Sequence, residues 1–455
     1  MYGNEAKTLT TLRNTLFPLF LILACPPTAI IIWYTNTALG GSLHALLALI
    51  LKDGFFTTLY HIWKPVFLGT KAGWTIISVF MLTQLILMRV IPGKRFLGPI
   101  TPTNHVPVYK SNGVFCYLIT LALFYIGAYP CHFFSPTIVY DHFGGILGAL
   151  NIFSLCFCLL LYLKGRLAPS SSDAGSCGNF IFDYYWGTEL YPRIIGWDIK
   201  MFTNCRVGMM GWPLIILSFA AKQSQLYGLS NSMLIALLIQ LVYVTKFFWW
   251  ETGYLRSLDI MHDRAGYYIC WGCLVWVPAV YTSPILYLVN HPHYLNTVSA
   301  TIILLFGVSS VFINYFADAQ RQKVRATNGR CKVWGKKPSI IVAEYETAQG
   351  DSKKSILLAS GWWGISRHFH YLPEIMAAFF WTLPALFEHA LPYFYVVFLT
   401  ILLIHRSLRD EQRCLEKYGE YWKEYCKRVP NQIFPTVIIT KFWNLLKEWR
   451  SSTNT

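Results

Sequence analysis

The chain has 455 residues, of which 55% are hydrophobic, 17% aromatic and only 13% charged; 38 basic against 22 acidic side chains leave a net charge of +16. A soluble chain of this length dilutes its core with polar surface, so this balance excludes a soluble globular protein and indicates a polytopic membrane protein with two aromatic-anchored interfaces. The basic excess lies in short segments beside apolar runs, which points to anionic head groups and an anionic cofactor rather than to nucleic acid.

In chain order, runs suited to a hydrocarbon core about 30 Å thick fall near 15–34, 74–92, 113–135, 145–163, 209–221, 229–250, 267–289 and 298–316. The first, Leu16 to Tyr34, lacks the small-residue exit of a cleavable signal peptide. A shorter stretch at 41–51 reads as a partial or re-entrant span. Residues 372–404 read as a bent pair, broken near Pro384 and the Glu388, His389, Pro392 cluster. The expectation is an all-α, polytopic protein of about ten transmembrane helices. It is read as a single membrane domain over 1–455, with a cofactor half at 317–435 and a substrate pocket shared with 229–316.

Polar segments interrupt this pattern. Residues 164–208 open on APSSSDAGSCGN, a loop signature. In the 317–354 segment, seven basic residues fall between Arg321 and Lys337 without an acid. Two readings stand here: an interfacial loop on anionic lipid, or a phosphate site. Arg321 and Arg325 are one helical turn apart, so both guanidinium forks can address one phosphate. The tail from His405 sets Asp410, Cys414, Tyr418 and Tyr425 near one helical face. Arg406 and Asp410 stand at i and i+4, as in a surface ion pair.

No G-x-G-x-x-G, P-loop, H-E-x-x-H or G-x-S-x-G motif occurs, so a nucleotide here is not held by a Rossmann domain. His368 and His370 point about 200° apart on a helix, which disfavours a shared metal. Cys270-x-x-Cys273 lies alone in a membrane-like run and is read as packing, and the twelve cysteines imply no disulfide framework. The segment Leu241 to Tyr268 packs Tyr243, Lys246, Trp250, Glu251, Asp259, His262 and Asp263 among bulky aromatics. Charges at membrane depth suggest function, with mutual neutralisation as the alternative. An aromatic wall with one phenol and a few carboxylates suits a large, flat, apolar substrate with one polar end.

SGWWGISRHFHY (360–371) and LLIHRSLRDEQRCLEKYGEYWKEYC (402–426) concentrate Arg, His, Asp, Glu, Trp and Tyr at the edges of apolar segments. Here the chain resembles the sterol reductase family, which includes the sterol Δ14-reductases, the lamin B receptor and the Δ7-reductases. The likeness runs from about Leu97 onward. FSPTIVYDH (134–142), GTELYPRIIGWDIKMFTNCRVGMM (187–210) and TNGRCKVWGKKP (327–338) are nearest to its Δ7 branch, in the plant-like form. The resemblance implies an integral-membrane oxidoreductase that uses NADPH to reduce the C7–C8 double bond of Δ5,7-sterols. Carried over by position, the cofactor set is Arg321, Arg325, Trp363, Arg367, His368, His370, Glu374, Arg406, Asp410, Tyr418 and Tyr425. Arg321 stands where relatives often have Lys, and His370 where many have Asn. Tyr243 matches a tyrosine placed near the reacting bond, with Asp410 as its partner, and Trp250, Glu251, Asp259 and His262 complete the expected sterol pocket.

An unactivated diene is a poor hydride acceptor, so protonation should lead and a hydride should quench the resulting cation. Rival readings are reduction of a Δ14 or Δ24(28) bond, a membrane methyltransferase, and a non-catalytic sterol-binding scaffold. The expected partners are a sterol and membrane lipid, without nucleic acid or metal. The expected location is the endoplasmic reticulum membrane in a eukaryote or the cytoplasmic membrane in a bacterium, with the basic 321–337 stretch on the cytosolic side.

Overall fold

The computed structural model describes residues 11–435, except 102, 347–349 and 351. Apolar segments in lipid must satisfy their own backbone groups, and this chain does so with helices. Seven of them are long and apolar enough to cross a membrane: Leu12–Ala38, Lys71–Val90, Phe143–Leu167, Asn231–Trp249, Tyr267–Val289, Thr297–Ala326 and Leu391–Tyr418. The pair Leu43–Asp53 and Phe55–Val66, bent by 114° at Gly54, is a broken span or a re-entrant loop. Gly54 sits at φ +83 with open space around its Cα, a conformation that only glycine adopts without strain. The expected partial span at 41–51 is thus the first arm of a broken or re-entrant element.

Other expected spans are altered by local chemistry. The 113–135 run is helical only over Gly113–Ala128, because Pro130 follows and cannot continue the ladder. The 209–221 run lies within a longer stretch, in which π-helical Met201–Met209 leads into Met210–Tyr227. The bent pair at 372–404 is Tyr371–Thr382, then two short 3-10 turns, then a helix that runs to Tyr418. That last helix corrects the reading of the tail. Gly419, at φ +52, ends it, and Glu420–Arg428 is a separate helix carrying Tyr425. The basic 321–337 stretch is likewise only partly a loop, since Thr297–Ala326 carries its first three cations on the helix. Among the described residues, the helices are accompanied by three two-stranded antiparallel sheets. The alternation in Ile340–Glu346 and Ser352–Leu358, one such hairpin, is a β signal that the all-α expectation passed over.

Among the described residues, those up to Leu304 together with Trp381–Tyr395 form one compact unit; Leu305–Phe380 and the residues from Val396 onward form a second. Two π-helical stretches, Met201–Met209 and Gly272–Tyr281, meet inside the first unit. A Cβ on Gly208 would stand 2.7 Å from the carbonyl oxygen of Cys273, so the close approach needs glycine. Arg206, on the first of these stretches, is fully buried and pairs at 2.5 Å with Glu251. In the second unit the hairpin packs Ile341, Ala343 and Leu357 against Cys414, Trp422, Tyr425 and Val429.

Candidate active site

In the second unit, three of the expected cofactor residues, Arg321, His370 and Tyr425, meet a fourth, Trp363. This indole is buried, and its Nε1 donates to the Ala317 carbonyl at 2.8 Å. The Arg321 guanidinium lies over the ring at 3.8 Å and bonds Asp318 at 2.9 Å. That stack leaves one planar cation fixed and partly open to solvent. One turn further along the same helix, Arg325 donates from Nε to the Ile356 carbonyl at 3.2 Å, which ties the helix to the hairpin. The Tyr425 hydroxyl donates to the Trp363 carbonyl at 3.3 Å. Burial holds that phenol above its ordinary pKa, against the pull of Arg321, Arg367 and Arg325.

His370 packs beside this arrangement, its ring 5.1 Å from that of Trp363 and 4.2 Å from that of Tyr371. Its Nδ1 is buried and has no hydrogen-bond partner among the described residues. Burial keeps this imidazole below its ordinary pKa, hence neutral near pH 7. This neutral ring, with its unfilled polar nitrogen, lies beside the indole that Arg321 covers.

Arg367 and His368 have a different placement. Arg367 Nε bonds Glu411 at 2.7 Å, while its Nη1 donates to the carbonyls of Val429 and Pro430 at 2.7 and 2.9 Å. His368 Nε2 stands 3.4 Å from the same Glu411 oxygen, and its backbone N–H donates to Gln432. These two residues brace the segment after the last helix. Glu411 was missed by the sequence reading, although it follows Asp410 directly in the R-D-E run. Asp410 itself pairs with Arg413 at 2.5 Å. Arg406, Asp410 and Tyr418 share a helix at spacings of four and eight, which puts them along one side. Tyr418 bonds Ser355 at 3.3 Å, and Glu374 is half-buried on Tyr371–Thr382.

The first unit holds the other expected residues, and here the structure separates them. Tyr243 sits in an aromatic cluster, 5.6 Å from Trp212 and 5.3 Å from Trp381. Tyr281 and Tyr395 extend the cluster, at 5.4 Å from Trp212 and 5.7 Å from Trp381. Trp212 is oriented by its bond to Gln240 at 2.7 Å. None of these four aromatics was singled out in the sequence; they come from helices remote in the chain, and an all-apolar helix gives no face to read. The Lys246 ammonium lies 5.6 Å from the centre of the Tyr243 ring.

Glu251, by contrast, is bound by other parts of the fold. One carboxylate oxygen meets Arg206 and the other accepts from the backbone N–H of Gly113 at 3.0 Å. The alternative of mutual neutralisation describes it. Trp250 ends the Asn231–Trp249 helix as its C-cap, Asp259 lies on the short Leu258–Met261 turn, and His262 is exposed. Lys200, another residue the sequence reading passed over, secures this turn. It is buried and donates to the carbonyls of Ile260 and Asp263 at 2.7 and 2.6 Å, and burial brings its pKa down to about 8.

Comparison with known proteins places these features among relatives. Residues 29–438 match the ergosterol biosynthesis ERG4/ERG24 family. The chain is 53% identical over 422 residues to a 7-dehydrocholesterol reductase from Arabidopsis thaliana, covering 92% of this chain and 96% of that one. It is 41% identical over 370 residues to a 7-dehydrocholesterol reductase from Xenopus laevis, with 80% and 78% covered. A Delta(14)-sterol reductase from Methylotuvimicrobium alcaliphilum is 36% identical over 422 residues, with 92% and 94% covered.

Proposed function

The chain belongs to the ergosterol biosynthesis ERG4/ERG24 family, and we propose that it is a multi-pass membrane reductase that saturates the C7–C8 double bond of Δ5,7-sterols with NADPH. The observation that carries this reading is the 53% identity with the plant 7-dehydrocholesterol reductase over 92% of the chain. The Methylotuvimicrobium alcaliphilum relative named for Δ14 reduction is 36% identical over a similar share of the chain.

Bound NADPH supplies a hydride. In this reading Arg321 and Arg325 hold the 2′-phosphate that distinguishes it from NADH, and the Trp363 face with the buried Nδ1 of His370 receives its aromatic and polar parts. Arg406, Asp410, Tyr418 and Tyr425 line the same region, while Arg367, His368 and Glu411 hold the closing segment in place. Arg367 and His368 thus act as positioning residues for the cofactor.

In the sterol half, Tyr243 donates the proton that opens the reaction. A phenol is a weak acid, so the alkene must be held against it in a dry environment. The faces of Trp212 and Trp381 exclude water and offer their negative quadrupoles to the cation that follows protonation.

Detergent-purified protein is mixed with 7-dehydrocholesterol and NADPH while the diene absorbance is followed, and the product is identified by mass spectrometry. Loss of the diene only with NADPH, with cholesterol as product, is the expected result. A stable diene alongside demonstrated cofactor binding overturns the assignment of the C7–C8 bond.

A further inference from the structure

A cavity of about 460 Å³ opens in the first unit. It lies where the Lys71–Val90 span ends and the hairpin of Lys94–Leu97 with Val108–Ser111 begins. Arg89, Arg95, Lys110 and Arg193 line it against one carboxylate, Asp198. One oxygen of that acid accepts from the Met201 N–H at 2.9 Å; the other stands 3.9 Å from Arg193 Nε and has no hydrogen-bond partner among the described residues. Four cations against one such acid leave a surplus positive charge with no function in the proposed reaction.

The fold holds these cations in place. Lys110 Nζ donates to the Arg89 carbonyl at 2.8 Å and the Ile91 carbonyl at 3.4 Å, closing the carboxyl end of the span. Arg193 bonds the Val108 carbonyl. The Arg89 guanidinium lies over Trp197 at 5.4 Å, and Arg95 is exposed. Tyr109 also lines the cavity; it is 3% exposed, and its hydroxyl has no hydrogen-bond partner among the described residues. A buried phenol without an acceptor is costly, and a ligand oxygen would relieve that cost. Burial holds this phenol above its ordinary pKa, so it remains a donor.

The surroundings indicate where the ligand comes from. Leu97, Ile194 and Ile195, next in the chain to lining residues or close to them, are 55%, 36% and 82% exposed, an apolar rim at the end of a membrane span. The volume is that of a small-molecule site rather than of a bare ion. We propose that this cleft binds the phosphate head group of an anionic membrane lipid, with Arg89, Arg95 and Arg193 on the phosphate and the Tyr109 hydroxyl donating to it.

The test is native mass spectrometry of the full chain in detergent, titrated separately with dioleoyl phosphatidylglycerol, dioleoyl phosphatidylcholine and glycerol phosphate. Wild-type protein should retain phosphatidylglycerol at least about ten-fold better than phosphatidylcholine, and the doubly substituted Arg89→Gln/Arg95→Gln should lose that preference. Both arginines are exposed, so the double variant keeps its core. Tyr109→Phe should lower retention by about two- to ten-fold while leaving the lipid-free melting temperature unchanged or higher, which a merely structural tyrosine would not do. Equal retention of the two lipids, or unchanged retention by the double variant, overturns the proposal. Glycerol phosphate held as tightly as phosphatidylglycerol overturns the lipid as the source in favour of a free phosphate ester.

Discussion

Arg321→Ala is the most direct perturbation of the proposed cofactor site. Charge-assisted hydrogen bonds contribute about 1.5–3 kcal/mol each. Arg321 is 31% exposed and already shares its charge with Asp318 at 2.9 Å. Solvent and that pairing both weaken what it offers a phosphate, so the lower end, about 1.5 kcal/mol, is the appropriate value. At about 1.4 kcal/mol per decade, the KM for NADPH should rise roughly ten-fold. The KM for NADH, which lacks the 2′-phosphate, should change little, and kcat at saturating NADPH should stay near wild type. Arg321→Lys keeps the charge but loses the planar stack on Trp363, so it should recover only part of the affinity. Initial rates of diene loss with each cofactor make the measurement. An equal rise in both KM values, or a fall in kcat at constant KM, would refute the assignment of Arg321 to the 2′-phosphate.

Tyr243→Phe keeps its contacts with Trp212 and Trp381 but removes the acid, so kcat should fall by about 10²–10⁴-fold with little change in sterol KM; near-normal turnover would eliminate the assignment. Glu251→Gln leaves Arg206 buried without its counter-charge and should lower stability by about 3–5 kcal/mol, read as a depressed melting temperature in detergent. Activity per folded molecule should survive, and Arg206→Met/Glu251→Leu together should restore much of the loss. His370 has a folded-state pKa below its ordinary value, so the stability it contributes is present above the ordinary histidine range and is lost as pH falls below it. His370→Asn should flatten the dependence of melting temperature on pH between about 7 and 5, where one such group contributes at most about 1.4 kcal/mol per pH unit.

The spans were legible because membrane helices are set by length and apolarity alone, which single residues carry openly. Their irregularities were not. The π-helical stretches at Met201–Met209 and Gly272–Tyr281 have no composition that separates them from ordinary apolar helix, and the break after Tyr418 rests on one residue, Gly419, at φ +52. The polar half of the candidate site was legible for a related reason. Arg321 and His370 are ionisable groups at the edges of apolar segments and stand out for that reason, whereas Trp363 and Tyr425 enter the set through the family resemblance. The aromatic half was hidden, because Trp212, Tyr281, Trp381 and Tyr395 sit among other large apolar residues on helices hydrophobic on every side, where periodicity carries no signal.

Buried charge is where sequence and structure diverge most usefully. Tyr243, Glu251 and Lys246 lie within nine positions of one another and invite one explanation. Counting acceptors and donors separates them. Both oxygens of Glu251 are taken, by Arg206 and by the Gly113 N–H, and a Cβ on Gly113 would come within 2.5 Å of that carboxylate. Held between those two donors, the group joins segments that lipid alone would not hold in register. The Nδ1 of His370 and the hydroxyl of Tyr109 are the opposite case, since each is buried with unfilled hydrogen-bonding capacity among the described residues. The first packs against Trp363 and the second lines the basic cleft, the two positions at which the proposed ligands fill that capacity.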